Sequence, residues 1–142
     1  MARSIRGRED REEEAVKSAT DLVKEAKAMI ENLSVDQVSK ELERGAVLID
    51  VREPMEVETQ GRSPGSKHAV RGLVEFYADE ALPYHRPEFD RRARLILCCA
   101  SGSRSALACK TLREMGYDVA HLEGGIQAWR AASKPMEGGR PS

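Results

Sequence analysis

The sequence has few aromatic residues, no long apolar run and almost no net charge, and these absences narrow the functions open to it. The longest uninterrupted apolar run is residues 95–100, far short of the about 20 residues that a transmembrane helix needs. Lysine and arginine total 23 against 24 aspartate and glutamate, so the net charge is −1. Nucleic-acid-binding proteins usually carry a basic excess. We therefore predict that the protein binds neither membranes nor nucleic acids.

Cysteine and histidine are also scarce. The three cysteines, two of them adjacent, do not form the even-numbered pattern of a disulfide framework. The histidines, at positions 68, 85 and 121, lack the spacing of metal ligands. No apolar stretch follows the arginines near the N-terminus, so no secretory signal is indicated. We expect a soluble cytoplasmic protein with reduced cysteines and no bound metal.

The first 30 residues are dense in charge, yet an apolar stripe runs through them. Its members recur at intervals of three and four residues: Ala15, Ala19, Leu22, Ala26 and Met29. This spacing predicts an amphipathic helix from about residue 9 to 30. Two hypotheses stay open for it. The helix either docks a partner, for example as a dimer contact, or packs against its own domain, since the stripe is too short to identify a coiled coil.

Between residues 31 and 135, apolar runs alternate with helical patterns. The runs at 46–49 and 95–98 are apolar throughout, as in strands buried on both faces of a parallel sheet. Further strands are predicted over 67–70 and 118–122, helices over 34–45, 54–61, 105–115 and 126–132, and a long surface connection over 79–94. The pattern predicts one α/β domain with helices on both faces of a mostly parallel sheet. Residues 136–142 are predicted to be a flexible tail.

One predicted loop carries the residues with the clearest chemical potential. Cys99 ends a buried strand, the small residues Ala100, Ser101, Gly102 and Ser103 follow, and a helix begins near Ser105, directly after Arg104. Backbone N–H groups of such a loop point inward, and the start of the helix adds positive potential. We therefore predict that Cys99 is an activated nucleophile in an anion-binding loop, with positive charge from Arg104. The alternative is an ordinary core cysteine.

Four ordered motifs resemble the rhodanese family of sulfurtransferases. They are LIDVREP at residues 48–54, GRSPGS at 61–66, CASGSRS at 99–105 and LEGGIQAW at 122–129. The resemblance covers about residues 32–135. It implies a rhodanese-like three-layer α/β fold with a mostly parallel five-stranded sheet, here extended by the N-terminal amphipathic helix. It also implies a short first strand near residues 31–33, which the periodicity of the sequence does not indicate.

The same resemblance implies a chemistry. Cys99 would take the outer sulfur of a donor such as thiosulfate, become a persulfide, and pass the sulfur to a thiol or a cyanide-like acceptor. The backbone N–H groups of residues 100–104 would hold the donor anion. The covalent persulfide is the only intermediate implied, so we expect no separate cofactor. The implied partners are a small sulfur donor anion and an acceptor, with a protein donor or acceptor also open.

Two other functions remain open at this point. One is a non-catalytic or regulatory rhodanese-like module that binds a partner through its N-terminal helix. The other is the activity of phosphatases and arsenate reductases of the same fold, whose loop has one more residue between cysteine and arginine. Position 105, where their arginine would fall, is serine. Because the side chains of residues 100–103 are neutral, a persulfide remains a possible donor as well as thiosulfate.

Several residues near the loop, namely Asp50, Arg52 and Ser105, are assigned supporting roles. Asp50 and Arg52 follow a predicted strand, and we expect them to form an ion-pair network that fixes the loops, to polarise the pocket, or to pair with Arg104. Side chains alternate along a strand, so Cys98 should face away from Cys99 into the core. Cys109 is also predicted to be a core residue, with a second hypothesis that it resolves an oxidised Cys99.

Overall fold

A computed structural model describes residues 16–140, and its centre is a five-stranded parallel sheet. The strands are β1 (Glu31–Leu33), β2 (Val47–Asp50), β3 (Lys67–His68), β4 (Arg94–Cys98) and β5 (Asp118–Leu122). Their spatial order is β1-β5-β4-β2-β3, and every neighbouring pair is parallel. The predicted sheet is confirmed, including the short first strand. Its carboxyl edge brings the ends of β2, β4 and β5 together.

Helices cover both faces of this sheet. They are α1 (Ala19–Ala28), α2 (Val35–Glu43), α3 (Pro54–Gln60), α4 (Val74–Ala78), α5 (Ser103–Glu114) and α6 (Gly125–Ala131). One apolar cluster lies between the sheet and α4 and α5, and it includes Leu112. A second lies on the opposite face and includes Val38 of α2 and Trp129 of α6. The protein therefore has the predicted three layers.

The start of α1 differs from the prediction. Ser18 caps the helix, because its Oγ accepts a hydrogen bond from the Asp21 N–H at 3.0 Å and its own N–H donates to the Asp21 carboxylate at 3.0 Å. Residues 16–18 are not helical, so the continuous helix predicted from residue 9 is wrong; residues 9–15 lie outside the described range. A capping box stops a helix from extending backward, and the apolar spacing alone does not reveal it.

Helix α1 packs against its own domain. Ala26 is fully buried, and Lys27 Nζ lies 2.6 Å from Glu123 Oε1, beyond the end of β5. Leu22 of this helix and its C-cap residue Met29 remain exposed. The structure thus agrees with the hypothesis that the helix packs against its own domain. A dimer formed through the exposed face of the helix stays a prediction. Within residues 16–140, no helix has the length and apolarity to cross a membrane.

The chain between β3 and β4 is more structured than predicted. A 3₁₀ turn (Arg71–Leu73) leads into α4, neither of which the sequence patterns indicated. In the predicted surface connection, Phe89 is fully buried. Tyr117 packs edge-on to its ring at 6.3 Å, and the Tyr117 hydroxyl donates to the carbonyl of Ala78 at 2.6 Å. Two aromatic side chains therefore anchor this connection to the core.

The described part of the C-terminal segment is attached to the domain. Arg62 and Glu137 exchange two backbone hydrogen bonds, at 2.9 and 2.8 Å. The approach depends on Gly61, because a β-carbon there would lie 2.7 Å from the Glu137 carbonyl oxygen. The described residues 136–140 therefore differ from the predicted flexible tail. Arg62 and Glu137 lie 75 positions apart in sequence, so no local pattern indicates their contact.

Candidate active site

Two backbone N–H groups converge on the sulfur of Cys99. The Gly102 N–H donates to Sγ at 3.1 Å and the Ser105 N–H at 3.3 Å. Gly102 has a φ of 105° at the N-cap of α5, a conformation that glycine adopts without strain. Converging N–H dipoles favour negative charge on the atom they surround. The geometry therefore suits a thiolate or the terminal sulfur of a persulfide.

The loop separates the sulfur from solvent. Cys99 has no exposed surface, whereas Ser101 and Ser103 are exposed on the outer side of the loop. Helix α5 begins at Ser103 rather than near Ser105, so Ser103 and Arg104 lie in its first turn. The positive end of this 12-residue helix adds to the anion-stabilising field.

Helix α6 supports the loop from the other side. The Ile126 N–H donates to the carbonyl of Cys99 at 2.9 Å, and the Gln127 N–H donates to the carbonyl of Ala100 at 3.0 Å. Both N–H groups belong to the first turn of α6, where they have no intrahelical acceptor and need partners outside the helix. The loop carbonyls are thereby held by α6, and the loop N–H groups are left to face the sulfur.

The charge of Arg104 is shared with a residue that the sequence did not single out. Arg104 makes a two-point contact with Glu56 of α3, at 2.6 and 2.9 Å. This contact lowers the pKa of Glu56 to about 2. The two residues are 48 positions apart, so no spacing rule links them. Arg104 was predicted to supply positive charge near the site; in the structure the Glu56 carboxylate pairs with it.

Asp50 and Arg52 form a buried pair with each other. Arg52 Nη2 lies 2.8 Å from Asp50 Oδ2, and both side chains are at most 1% exposed. Arg52 Nη2 also donates to the carbonyl of Gly61 at 2.7 Å. The ion pair lies between Asp50 and Arg52, whereas Arg104 pairs with Glu56 instead. A role of the pair in fixing the loops or polarising the pocket stays a prediction. The pair links the end of β2 to the end of α3, the helix whose first turn carries Glu56.

The three cysteines occupy different environments. Cys98 lies in the core cluster on the α2 and α6 face, whereas Cys99 lies in the cluster on the α5 face, so the predicted alternation is confirmed. Burial raises the pKa of the Cys98 thiol, and burial raises the pKa of Cys109 to about 12. Neutral thiols are poor nucleophiles. Cys99 alone among the three receives hydrogen bonds from two backbone N–H groups.

Ser105 connects the loop to a histidine that sequence reasoning set aside. Its Oγ lies 3.5 Å from Cys99 Sγ and 3.0 Å from His121 Nδ1, and all three residues are fully buried. His121 was considered only as a metal ligand. Because it occupies a predicted buried strand, its polarity was a signal that the ring has a hydrogen-bonding role. No cluster of three or more potential metal-ligating residues occurs within residues 16–140.

Comparisons with known proteins agree with this architecture. The rhodanese-like domain family model matches residues 34–132. The putative sulfurtransferase YtwF of Bacillus subtilis is 35% identical over 88 residues, which cover 62% of this chain and 77% of that protein. The thiosulfate sulfurtransferase GlpE of Ectopseudomonas mendocina is 30% identical over 100 residues, covering 70% of this chain and 84% of that protein.

A solved structure extends the likeness over most of the chain. It is a Rhodopseudomonas palustris protein of unknown function, RPA3614, described as a possible tyrosine phosphatase. It is 38% identical, with a TM-score of 0.81, and the match covers 88% of this chain and 98% of that one. Since the family model covers well over half of the chain, and named sulfurtransferases match it at 30% identity or more, this chain belongs to the rhodanese-like domain family.

Proposed function

We propose that this protein is a sulfurtransferase that carries sulfane sulfur as a persulfide on Cys99. The single observation that supports this most strongly is the pair of backbone N–H groups, from Gly102 and Ser105, directed at Cys99 Sγ. The relatives named sulfurtransferase support the same class of reaction. The chemistry needs no bound cofactor, because the transferred sulfur is held covalently by the protein.

The first half-reaction loads the cysteine. The Cys99 thiolate attacks the outer sulfur of the donor, a new S–S bond forms, and the donor's own S–S bond breaks. With thiosulfate the products are the Cys99 persulfide anion and sulfite; with a hydropersulfide they are the Cys99 persulfide and a thiol. One sulfur atom moves from the donor to Cys99, and no external oxidant is needed. The same N–H groups that face the thiolate also suit the terminal sulfur of the product.

The second half-reaction unloads it. A nucleophilic acceptor attacks the terminal sulfur of the persulfide, and the Cys99 thiolate leaves. A thiolate acceptor becomes a persulfide, and cyanide becomes thiocyanate. The leaving thiolate returns to the two N–H donors, which stabilise it as they did before the first step. The enzyme therefore ends each cycle in its starting state. A protein persulfide is an equally suitable donor, and a protein thiol an equally suitable acceptor.

Local charge favours donors that carry little negative charge. The side chains at positions 100–103 are neutral, and Glu56 balances the charge of Arg104. Thiosulfate is a dianion that would meet a thiolate, so it depends strongly on free positive charge nearby. The persulfide group of a hydropersulfide carries at most one negative charge, against two on thiosulfate. We therefore expect hydropersulfides, free or on a protein, to be better donors than thiosulfate.

The assay compares two donors with cyanide as acceptor. Wild-type protein, Cys99→Ser and a protein-free blank are each given thiosulfate or cysteine hydropersulfide, and thiocyanate is measured. The proposal expects thiocyanate above the blank for the wild type alone, with a faster rate from the hydropersulfide. Thiocyanate formation by Cys99→Ser at the wild-type rate would overturn it. Wild-type rates at the blank level with both donors would instead support the non-catalytic module.

A further inference from the structure

A chain of hydrogen bonds runs from the buried sulfur to the protein surface. Its first link is Cys99 Sγ to Ser105 Oγ at 3.5 Å, and its second is Ser105 Oγ to His121 Nδ1 at 3.0 Å. On the far side of the ring, His121 Nε2 lies 2.8 Å from Asn32 Oδ1 and 3.3 Å from Glu123 Oε2. Asn32 is exposed and Glu123 is 44% exposed.

The partners of the ring define which nitrogen carries the proton. Asn32 donates its amide Nδ2 to the carbonyls of Lys27 and Ile30, at 2.9 and 3.2 Å, so its Oδ1 faces His121 as an acceptor. Nε2 thus faces two oxygen acceptors and carries the hydrogen. Nδ1 is then the unprotonated nitrogen, and it accepts a hydrogen bond from the Ser105 hydroxyl. The lone pairs of Ser105 Oγ remain to accept from the Cys99 thiol.

We propose that His121 accepts the proton of the Cys99 thiol through Ser105, and so generates the thiolate within the buried site. The thiol proton passes to Ser105 Oγ as the hydroxyl proton passes to His121 Nδ1. The products are a thiolate and an imidazolium, so no proton enters or leaves the chain of groups. The Ser105 hydroxyl then donates to the thiolate, beside the two backbone N–H groups. His121 acts through Ser105 and is a positioning residue rather than one that touches the donor.

The groups around His121 suit both of its states. Burial lowers the pKa of His121, so the resting ring is neutral and able to accept. Once charged, the ring faces the Glu123 carboxylate, which stabilises the positive charge. Lys27 of α1, whose Nζ lies 2.6 Å from Glu123 Oε1, disfavours the charged ring from farther away. From β1 the ring meets only the neutral amide of Asn32. Arg104 of α5 forms its ion pair with Glu56 and not with a group at the ring.

The relay also gives the proton a route back. When a hydropersulfide donor is attacked, the departing thiolate needs one proton to leave as a thiol. The imidazolium supplies it through Ser105 in the reverse direction, or exchanges it with solvent at the exposed Asn32 and Glu123. The buried sulfur thus keeps access to protons. This mechanism rests on the proposed sulfurtransferase function, but its first step can be measured without any sulfur donor.

The test is the rate at which iodoacetamide alkylates Cys99, followed by peptide mass from pH 5 to 9. The variants are Ser105→Ala, which keeps the backbone N–H on Sγ, and His121→Gln. His85→Gln is the matched control, because His85 contacts the Phe89 carbonyl at 3.1 Å and not the loop. We expect both site variants to alkylate at least about tenfold more slowly at pH 7 and to reach half-maximal rate at higher pH.

Non-additivity separates a relay from two independent contacts. Because both variants interrupt the same path, the double variant should alkylate about as slowly as either single one. A pH profile of Ser105→Ala that coincides with wild type, in protein with an unchanged melting temperature, would overturn the relay. If the profiles shift as expected but no persulfide forms with any donor, the relay stands and the proposed transferase function fails. If instead a persulfide forms but the pH profiles of the variants do not shift, the transferase function stands and the relay fails.

Discussion

Gly125 lies so close to Cys99 that a β-carbon added to it would stand 2.5 Å from the Cys99 carbonyl oxygen and 2.6 Å from the carbonyl of Ala100. The φ of Gly125 is 62°, in the region that favours glycine. The close approach lets the N–H groups of Ile126 and Gln127 reach the loop carbonyls. A glycine in α6 therefore determines the shape of the loop that holds the nucleophile.

Replacing Gly125 with alanine should distort the loop and reduce activity. The new methyl group must displace backbone atoms, so we expect a loss of about 1–3 kcal/mol in the free energy of unfolding and a fall of at least about tenfold in sulfur transfer. Gly72→Ala is the matched control, since nothing lies within 4 Å of a β-carbon there. Equal activity of the two variants would show that the approach of α6 does not position the loop.

Removing Arg52 should cost far more stability than removing a surface arginine. Arg52→Met leaves the Asp50 carboxylate buried without its partner, and breaking such a pair costs about 3–5 kcal/mol. Arg62→Met removes a pair with Glu137 in which both side chains are more than 40% exposed, and it should cost at most about 1 kcal/mol. Urea unfolding of the two variants measures the difference, and similar losses would contradict the account.

The Glu56–Arg104 pair should contribute stability that depends on pH. The pKa of Glu56 is about 2 in the folded protein against 4.5 for the free side chain, so its contribution is fully present above pH 4.5 and is lost as the pH falls toward 2. The stability gap between wild type and Glu56→Gln should therefore narrow over that range. Because Arg104 is 37% exposed, we expect a gap of no more than about 1 kcal/mol at pH 7. A gap that widens on acidification would refute this.

Neutralising Glu56 should also change the choice of donor. Glu56→Gln frees the charge of Arg104, so the kcat/KM for thiosulfate should rise about threefold to tenfold, while that for cysteine hydropersulfide should change little. Glu58→Gln is the matched control on the same helix, because Glu58 pairs with Arg140 at 3.1 Å instead. An equal rise with both donors would mean that charge near Arg104 does not discriminate between them.

The strands and the reactive loop were accessible from the sequence for a physical reason. β2 and β4 are buried on both faces, so their sequences are uninterrupted apolar runs, and Cys99 follows one of them. β1 gave no such signal, because it has three residues and two of them are exposed. A strand that short gains its stability from pairing with β5, which only the assembled sheet supplies.

The contacts that define the site chemically were not accessible in the same way. Glu56 meets Arg104 across 48 residues of chain, and Ser105 meets His121 across 16. Neither pair follows a helical or strand repeat, so composition and periodicity carry no trace of them. The buried polar histidine in β5 was the one local hint, since a polar ring in an apolar strand requires partners.

The most direct test of the central claim is the intact mass of the protein after exposure to a sulfur donor without reductant. Wild type and Cys99→Ser are each incubated with thiosulfate and with cysteine hydropersulfide, and then desalted. The account predicts a gain of about 32 Da, one sulfur atom, on the wild type and none on Cys99→Ser. A gain on Cys99→Ser, or no gain on the wild type with either donor, would contradict a persulfide carried by Cys99.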